Sequence, residues 1–398
     1  MSDRPRRRSS GPVPSGIPGL DSVLGQGLPA ERLYLVQGTP GSGKTTLGLQ
    51  FLLEGVDRGE PVLLVSLLQT RAELEDITTA HGWSLDKIQA LEMPLELHEA
   101  AESEQTVFSP ADVELHEVTD ALIETILAHE PRRMVLDSLS ELQLIIDSPH
   151  QMRRQLMKLK RALLSVGCTS IMTADEALLK DQPVVQTIVH GVFSLHRTVP
   201  DYGAPQRQLE VQKIRGLDFS GGFHDFVIRS GGLEVFPRFS GLGGGPRQPG
   251  DTSVVSSGSP ELDAMFGGGL NRGSVCMVMG TAGAGKSTLT SLYVSSIADR
   301  GELGVVYCFD ESRRTYLQRA HGLELGIYEQ VEDGRVELRE YSVGDLTPGQ
   351  FMQDLRDDVE GRGARLVVID SFTGLLNLMP GQSMLVPKLH EALRFLSS

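Results

Sequence analysis

The sequence is poor in several residue types, and each shortage argues against a class of protein. Of its 398 residues, only three are cysteines and one is tryptophan. The cysteines, Cys168, Cys276 and Cys308, are odd in number and scattered, with no Cys-x-x-Cys pair. This spacing argues against a disulfide framework and against a cysteine-based zinc site. We therefore expect a reduced, cytoplasmic compartment.

Positive charge and long apolar runs are also scarce. The chain has 37 Lys and Arg against 52 Asp and Glu, a net charge of −15 at pH 7, which disfavours a surface built mainly to hold nucleic acid. No stretch is long and apolar enough to span a bilayer, and the amino-terminal arginine run lacks the apolar segment of a secretory signal. The length predicts a soluble protein of two domains.

An internal repeat organises the chain. The segment from Ser15, SGIPGLDSVLGQGLPAERLYLVQGTPGSGKTT, aligns without a gap at a shift of 242 with the segment from Ser257, SGSPELDAMFGGGLNRGSVCMVMGTAGAGKST. A period this long indicates two copies of one domain, because solenoid repeats run about 20 to 50 residues. The glycines and prolines of 239–253 predict a linker between domain one at 12–238 and domain two at 254–398.

In domain one, apolar segments of strand length alternate with helical segments. This pattern predicts an α/β fold with a mostly parallel sheet and helices on both faces. An irregular acidic stretch is expected near 96–105. The later segments 184–197, 207–216 and 224–237 are interpreted as further strands that extend the sheet.

Each copy carries a phosphate-binding motif. Residues 38–45, GTPGSGKT, and 280–287, GTAGAGKS, match G-x-x-x-x-G-K-[ST], and the repeat places each between an apolar strand and a helix. In such a loop, backbone N–H groups surround phosphate oxygens and the lysine reaches the β- and γ-phosphates. The predicted nucleotide-binding residues are Gly38, Thr39, Gly41, Ser42, Gly43, Lys44, Thr45 and Thr46 in copy one, and Gly280, Thr281, Gly283, Ala284, Gly285, Lys286, Ser287 and Thr288 in copy two.

An apolar strand ending in aspartate follows each phosphate-binding loop. RRMVLDS places Asp137 and ARLVVIDS places Asp370 at such an end. Alone, a strand followed by Asp-Ser is often only a turn. With a phosphate loop upstream in both copies, we predict that Asp137 with Thr45, and Asp370 with Ser287, hold Mg²⁺.

Together these features resemble the RecA-like P-loop ATPases and, within them, the KaiC-like circadian clock proteins. The residues that carry the resemblance are the two lead-in segments, both P-loops, the two Asp-Ser strand ends and LEVQKIRG at 209–216. The resemblance implies a homohexameric double ring with ATP and Mg²⁺ between subunits. It also implies that Lys213 and Arg215 reach the neighbouring subunit's nucleotide; the alternative is a charged pair on a surface strand.

The copies depart from this family where water is activated. In the family, adjacent glutamates follow the strand after the P-loop helix; here Leu68 and Gln69 correspond to Asp310 and Glu311 at the shift of 242. Loss of a general base typically costs about 10²- to 10⁴-fold in rate. We therefore expect domain one to bind ATP and hydrolyse it slowly, and we predict Asp310 and Glu311, with Lys213 and Arg215, as catalytic residues.

Copy two departs at its carboxyl end. Asp137 and Asp370 differ by 233, so Ser398 corresponds to Ser165, and no counterpart of the strand CTSIMTA follows. RecA-like sheets place that strand between the P-loop strand and the Asp-Ser strand. We therefore expect either a fragment of a longer protein or a second domain that folds only conditionally and is also slow.

Fewer inferences attach to the remaining polar residues. Thr173 and Glu176 lie where RecA-like proteins often place a γ-phosphate sensor, and His190 and His196 are interpreted as structural. Three functions stay open: a KaiC-like hexameric switch with weak ATPase activity, a Ser/Thr protein autokinase, and a RecA-type DNA-handling ATPase. The expected partner is the chain itself; other protein partners are unknown, and neither nucleic acid nor a membrane is expected.

Overall fold

The computed structural model describes residues 11–93, 110–145, 148–179, 184–199, 205–238, 253–341, 346–378 and 385–397. The chain divides into unit 1, Met1–Thr198 with Pro205–Arg238, and unit 2, Val199–Ala204 with Phe239–Ser398. The predicted acidic stretch 96–105 and nearly all of the predicted linker lie outside the described residues. None of the helices described has the length and apolar character needed to cross a membrane.

Unit 1 is built on one sheet. Its strands are β1 (Leu33–Gly38), β2 (Val62–Ser66), β3 (Gln89–Glu92), β4 (Arg133–Asp137), β5 (Thr169–Asp175), β6 (Gly191–Thr198), β7 (Gln206–Ile214), β8 (Phe223–Arg229) and β9 (Gly232–Phe236). Its helices are α1 (Leu20–Val23), α2 (Lys44–Asp57), α3 (Arg71–Ala80), α4 (Pro110–His129), α5 (Leu139–Ile145), α6 (Pro149–Val166), α7 (Glu176–Leu179) and α8 (Val184–Ile188). The strand order is β3-β2-β4-β5-β1-β6-β7-β8-β9.

The pairing directions confirm the predicted fold class. Strands β3, β2, β4, β5, β1 and β6 pair in parallel, and β6 to β9 continue as an antiparallel meander. Strand β5 lies between β1 and β4, so the P-loop strand and the Asp-Ser strand are not direct neighbours. Every residue of β1, β2 and β4 is buried, as expected for parallel strands covered on both faces.

The core of unit 1 consists of two apolar clusters. Leu33 and Leu35 of β1 belong to one cluster, and Tyr34 and Val36 belong to the other. Because successive side chains of a strand point to opposite faces, this division shows that the clusters lie on opposite sides of the sheet. Trp83 is partly buried and packs against the second cluster.

One strand interpretation in unit 1 was wrong. The segment 184–197 is not one strand, because Val184–Ile188 forms α8 and β6 starts only at Gly191. Val185 and Ile188 are both buried. Their spacing of three places them on one face of a helix, whereas the run of β-branched residues had suggested a strand.

Unit 2 repeats part of this arrangement. Its strands are β10 (Val254–Val255), β11 (Leu270–Asn271), β12 (Gly304–Cys308), β13 (Val336–Glu340) and β14 (Leu366–Asp370). Its helices are α9 (Pro260–Met265), α10 (Lys286–Asp299), α11 (Arg313–Gly322), α12 (Ile327–Glu332), α13 (Pro348–Arg356), a π-helix (Asp357–Gly361), α14 (Phe372–Leu378) and α15 (Leu385–Leu396). Strands β13-β12-β14 form a parallel sheet, and β10 pairs with β11.

The strand expected before the second P-loop is not formed. Residues 274–280, SVCMVMG, belong to no strand, and Met277 and Met279 are 63% and 83% exposed. In unit 1, β1 obtains its backbone partners from β5 and β6. No described residue of unit 2 stands in those two positions, so the segment has an apolar strand sequence without hydrogen-bonding neighbours.

His190 hydrogen-bonds to β1 on one side and to the end of β7 on the other. Its backbone N–H donates to the Leu33 carbonyl (2.8 Å), its Nδ1 accepts from the Leu33 N–H (3.1 Å), and its carbonyl accepts from the Arg215 N–H (2.9 Å). Burial, followed by the positive charges of Lys160 and Arg32, lowers the pKa of His190 to about 4. The imidazole is therefore neutral in the folded unit at pH 7.

This lowered pKa makes the stability of unit 1 depend on pH. The stabilisation contributed by neutral His190 is fully present above the unfolded pKa near 6.5. It is lost as pH falls toward the folded pKa near 4, at about 1.4 kcal/mol per pKa unit. When the pH falls from 7 to 4.5, His190 should therefore lower the free energy of unfolding of unit 1 by about 2–3 kcal/mol. The measurement is urea unfolding followed by the fluorescence of Trp83, the only tryptophan in the sequence.

The control for this prediction is His190→Asn, which keeps an acceptor for the Leu33 N–H but does not titrate. The variant should lose less stability than the wild type over the same pH range, and the difference isolates His190 from the other groups that titrate. Equal losses in both proteins would contradict the assignment.

Candidate nucleotide sites

The P-loop of unit 1 connects β1 to α2 and has the geometry of a phosphate cradle. Gly41 and Gly43 adopt φ values of +72° and +106°, which favour glycine. A Cβ on Gly38 would lie 2.4 Å from the Leu195 carbonyl oxygen. The Lys44 Nζ folds back over the loop and donates to the carbonyls of Gly38 (2.9 Å) and Thr39 (3.1 Å).

A buried polar atom in the same loop supports a phosphate ligand. Ser42 is fully buried, and its hydroxyl oxygen has no hydrogen-bond partner in the described part of the chain. Leaving such a group unpaired typically costs about 1–3 kcal/mol. An anion held by the loop would meet this hydroxyl and the amino end of α2, whose dipole favours negative charge.

The second P-loop has the same local conformation. Gly283 and Gly285 have φ values of +77° and +87°, and the Lys286 Nζ donates to the carbonyls of Gly280 (3.0 Å) and Thr281 (2.9 Å). Unlike its counterpart, this loop is exposed over residues 280–285. The motif therefore fixes the loop shape even where the preceding strand is not formed.

Asp137 connects three elements at the carboxyl ends of the parallel strands of unit 1. It ends β4 and is 8% exposed; its Oδ2 accepts from the Thr45 Oγ1 of α2 (2.6 Å), and its Oδ1 accepts from the Thr173 Oγ1 of β5. The sequence paired Thr45 with Asp137 as ligands of Mg²⁺, and the structure brings them into contact. Hydroxyl and carboxylate oxygens fit this cation, whose remaining ligands would come from phosphate and water.

Asp370 ends β14 in the equivalent position. It is in register with Cys308 of β12, as Asp137 is with Ser66 of β2. Its Oδ2 is buried without a hydrogen-bond partner among the described residues, and no hydrogen bond there joins it to Ser287. An unpaired carboxylate oxygen fits a cation site, but the contact seen between Thr45 and Asp137 is not formed in unit 2.

Leu68 and Gln69 lie directly beside the Asp137 strand end. The Leu67 N–H donates to the Asp137 carbonyl (2.8 Å), and the Ser66 hydroxyl fixes the Gln69 backbone by donating to its carbonyl (2.7 Å). Leu68 is 66% exposed, whereas the Gln69 Oε1 is buried without a hydrogen-bond partner in the described residues. Gln69 therefore presents an unused acceptor, and no carboxylate stands at either position.

Asp310 and Glu311 stand at the same place in unit 2. The Phe309 N–H donates to the Asp370 carbonyl (2.7 Å), which repeats the Leu67 contact. The Asp310 Oδ2 accepts from the Ser371 hydroxyl. Both carboxylate oxygens of Glu311 accept from one nitrogen of Arg319, at 2.5 and 2.6 Å.

Lys213 and Arg215 lie at the end of β7, where they hold the carboxyl end of α8. Lys213 donates to the Gln186 carbonyl, and Arg215 donates to the Thr187 carbonyl (2.9 Å). Lys160 of α6 donates to the next carbonyl, that of Ile188 (2.6 Å). Burial, together with the charges of Arg215 and Lys160, lowers the pKa of Lys213. Their contacts are within one chain, so a role toward a neighbouring subunit stays a prediction.

Asp175 is a site residue that the sequence motifs do not predict. This residue ends β5, and its Oδ1 lies 2.7 Å from the Lys44 Nζ. Its backbone N–H donates to the Ser140 hydroxyl (2.8 Å). Burial and the charge of Asp175 raise the pKa of Glu141. The only signal in the sequence is an acid at the end of the strand before α7, whereas the resemblance to RecA-like proteins points to Thr173 and Glu176 on either side.

Unit 1 has a RecA-like P-loop nucleotide-binding fold. Three features define it: a parallel sheet with the strand order β3-β2-β4-β5-β1, a P-loop after β1, and an aspartate at the end of β4. In unit 2 the P-loop and the aspartate strand end recur with part of the sheet. The family model described as "ATPase: KaiC" matches residues 13–240 and again 255–398. The chain belongs to the KaiC ATPase family.

Curated relatives agree with this assignment. The circadian clock oscillator protein KaiC of Prochlorococcus marinus is 27% identical over 82% of this chain and 65% of its own length. The same protein of Synechococcus elongatus is 29% identical over 77% and 59%. The circadian clock protein KaiC2 of Synechocystis sp. is 30% identical over 82% and 58%. The match thus spans less than two thirds of the length of these relatives.

The geometry predicts that Lys44 carries the nucleotide affinity of unit 1. Its ammonium group contacts two carbonyls of the loop, and charge-assisted hydrogen bonds are worth about 1.5–3 kcal/mol each. Titration calorimetry of the full chain with Mg-ATP, in a Lys286→Ala background that silences unit 2, should show binding weakened about tenfold or more by Lys44→Ala. Unchanged affinity would contradict the assignment of the loop.

Proposed function

We propose that the chain is an ATP-dependent hexameric switch in which unit 1 holds Mg-ATP between neighbouring subunits and hydrolyses it slowly. The observation that carries this proposal is the contact of Thr45, Asp137 and Thr173 beside the P-loop lysine, an arrangement suited to a metal-bound triphosphate. Membership of the KaiC ATPase family supports ATP as the nucleotide. The identity of the relatives as circadian clock proteins supports a role in a clock system.

The reaction proposed for unit 1 needs little from the protein beyond binding and orientation. Lys44 and the loop N–H groups would neutralise the β- and γ-phosphates, while Thr45 and Asp137 would hold Mg²⁺, which withdraws charge from the phosphates. The Gln69 Oε1, which is buried, could accept a hydrogen bond from the attacking water only if the side chain turned toward the nucleotide. An amide cannot take up the proton, so we infer slow turnover and a mainly structural use of ATP.

The second nucleotide site is proposed to differ in the opposite way. Glu311 supplies a carboxylate that can accept a proton, and Asp310 lies beside it. Before Glu311 can act on water, at least one of its oxygens must be released from Arg319. As long as Arg319 holds both oxygens, we infer that this site is slow as well.

Assembly should depend on ATP and on Arg215. A ligand bound between subunits favours the assembled state by mass action, and Arg215 is proposed to supply a charge to the neighbour's phosphates. Sedimentation velocity of the full chain should show hexamers with Mg-ATP and smaller species without it. Arg215→Ala should shift the distribution with ATP toward the smaller species.

The matched control for assembly is Arg197→Ala, which removes an exposed arginine from the neighbouring strand β6. This variant should assemble like the wild type. If Arg215→Ala also assembles like the wild type, the proposed role of Arg215 between subunits is wrong.

Restoring a carboxylate at position 69 should speed hydrolysis in unit 1. Gln69→Glu, alone or with Leu68→Glu, should raise phosphate release about tenfold or more, toward the 10²- to 10⁴-fold range of general-base effects. The measurement uses the Lys286→Ala background so that only unit 1 contributes. ATP affinity should change far less than the rate.

The gain must also depend on the rest of the site. When Lys44→Ala is added, the increase from Gln69→Glu should disappear, because the phosphates are no longer held. Rapid turnover by the wild-type unit with no gain in either variant would refute the slow-turnover proposal.

A further inference from the structure

The P-loop lysine of unit 1 has no free hydrogen-bond donor. An ammonium group has three N–H donors, and the Lys44 Nζ makes three contacts: to the carbonyls of Gly38 and Thr39 and to the Asp175 Oδ1 at 2.7 Å. The Lys44 side chain is 11% exposed and that of Asp175 is 34% exposed. A phosphate oxygen can therefore reach the ammonium group only if one of these contacts opens.

Asp175 is held in this position by its strand and by a buried hydroxyl. Strand β5 pairs with β1 up to the register Gly38 to Asp175, so the two residues are directly opposite. The Ser140 hydroxyl, in a residue that is 2% exposed, accepts the Asp175 N–H. The sheet register and the Ser140 contact therefore fix the Asp175 backbone beside the loop, within reach of Lys44.

The second P-loop shows which contacts belong to the loop itself. Lys286 makes the two equivalent carbonyl contacts, to Gly280 and Thr281. In the described part of unit 2, no acid is bonded to Lys286. The folding back of the lysine is thus a property of the motif, whereas the carboxylate contact in unit 1 comes from β5, a strand outside the motif.

We propose that Asp175 is an internal substitute for a nucleotide phosphate, which occupies Lys44 in the free site and thereby sets the affinity of unit 1 for nucleotide. A carboxylate and a phosphate are both anionic acceptors, so they compete for the same ammonium group. The inference rests on the proposed nucleotide site. It deepens that proposal by making Asp175 a residue that weakens binding, in contrast to the other polar groups at the P-loop.

The surroundings increase the cost of bringing in a further anion. Asp137 lies at the adjacent strand end, and Glu141 is close enough for Asp175 to raise its pKa. Lys44 is the one cation bonded to any of these three acids among the described residues. When a phosphate takes over Lys44, Asp175 is left as an unpaired negative charge beside it, so the competition persists in the bound state.

The test is the isosteric substitution Asp175→Asn in the full chain, in the Lys286→Ala background. Titration calorimetry with Mg-ATP should show affinity increased about 3- to 30-fold, the range for a partly exposed ion pair and a nearby like charge. Asp86→Asn, which removes the same charge from an exposed position of unit 1, should leave affinity unchanged. Unfolding followed by Trp83 fluorescence checks that each variant is folded.

A double substitution separates this inference from the proposed function. In a Lys44→Ala background, Asp175→Asn should give less than half the logarithmic gain seen with Lys44 present, because the competition acts through the ammonium group. If Lys44→Ala weakens binding but Asp175→Asn leaves affinity equal or lower, the competition is wrong and the nucleotide site stands. If Lys44→Ala has no effect, the proposed site itself fails. Asp175→Ala serves as a second neutral variant should Asp175→Asn unfold, and the same outcomes apply to it.

Discussion

The position of β5 between β1 and β4 is the constraint on which the unit 1 site depends. A strand in the middle of a parallel sheet satisfies backbone groups of both neighbours, and it brings its own carboxyl end to the same edge as theirs. Here that edge carries the P-loop, Asp137, Thr173 and Asp175. In the described part of unit 2 no strand separates 274–280 from β14, and there the loop conformation is kept while the contacts around it are not.

The features that could be predicted from the sequence are those determined locally or by the repeat. The P-loop conformation follows from glycines and a lysine within eight residues, and the Asp-Ser strand ends follow from a short apolar run. The fold class followed from alternation of strands and helices, and the structure confirms it. The sequence offset of 242 also aligned Leu68 and Gln69 with Asp310 and Glu311. In the structure, each of these pairs lies beside a strand that ends in aspartate.

The features that could not be predicted depend on distant parts of the chain. The contact between Lys44 and Asp175 joins residues 131 positions apart, and only the strand order makes them neighbours. The helix α8 was mistaken for a strand because Val184, Val185 and Ile188 favour β-structure, whereas burial of one face selected the helix. For residues 274–280 a strand was predicted and none is formed. The apolar pattern is that of a strand, but a strand also needs hydrogen-bonding partners.

The two copies also differ in a correlated way around the water-activating position. Glu311 is bound by Arg319, and at the shift of 242 the residue corresponding to Arg319 is Ile77, which packs against the core. Both helices begin with a capping hydroxyl, from Thr70 in α3 and from Ser312 in α11. Because the helices are equivalent, unit 1 differs from unit 2 in both the carboxylate and its basic partner, a change of a pair and not of a single residue.

The three cations that hold α8 have a consequence for the electric field of the protein. Lys160, Lys213 and Arg215 all donate to uncharged carbonyls, so their geometry is fixed while none of their charge is cancelled by these contacts. In a chain with a net charge of −15, this corner is a local region of opposite sign. Approach of an anion to it is accelerated by attraction at long range and slowed by added salt, although every close contact seen there is with a neutral atom.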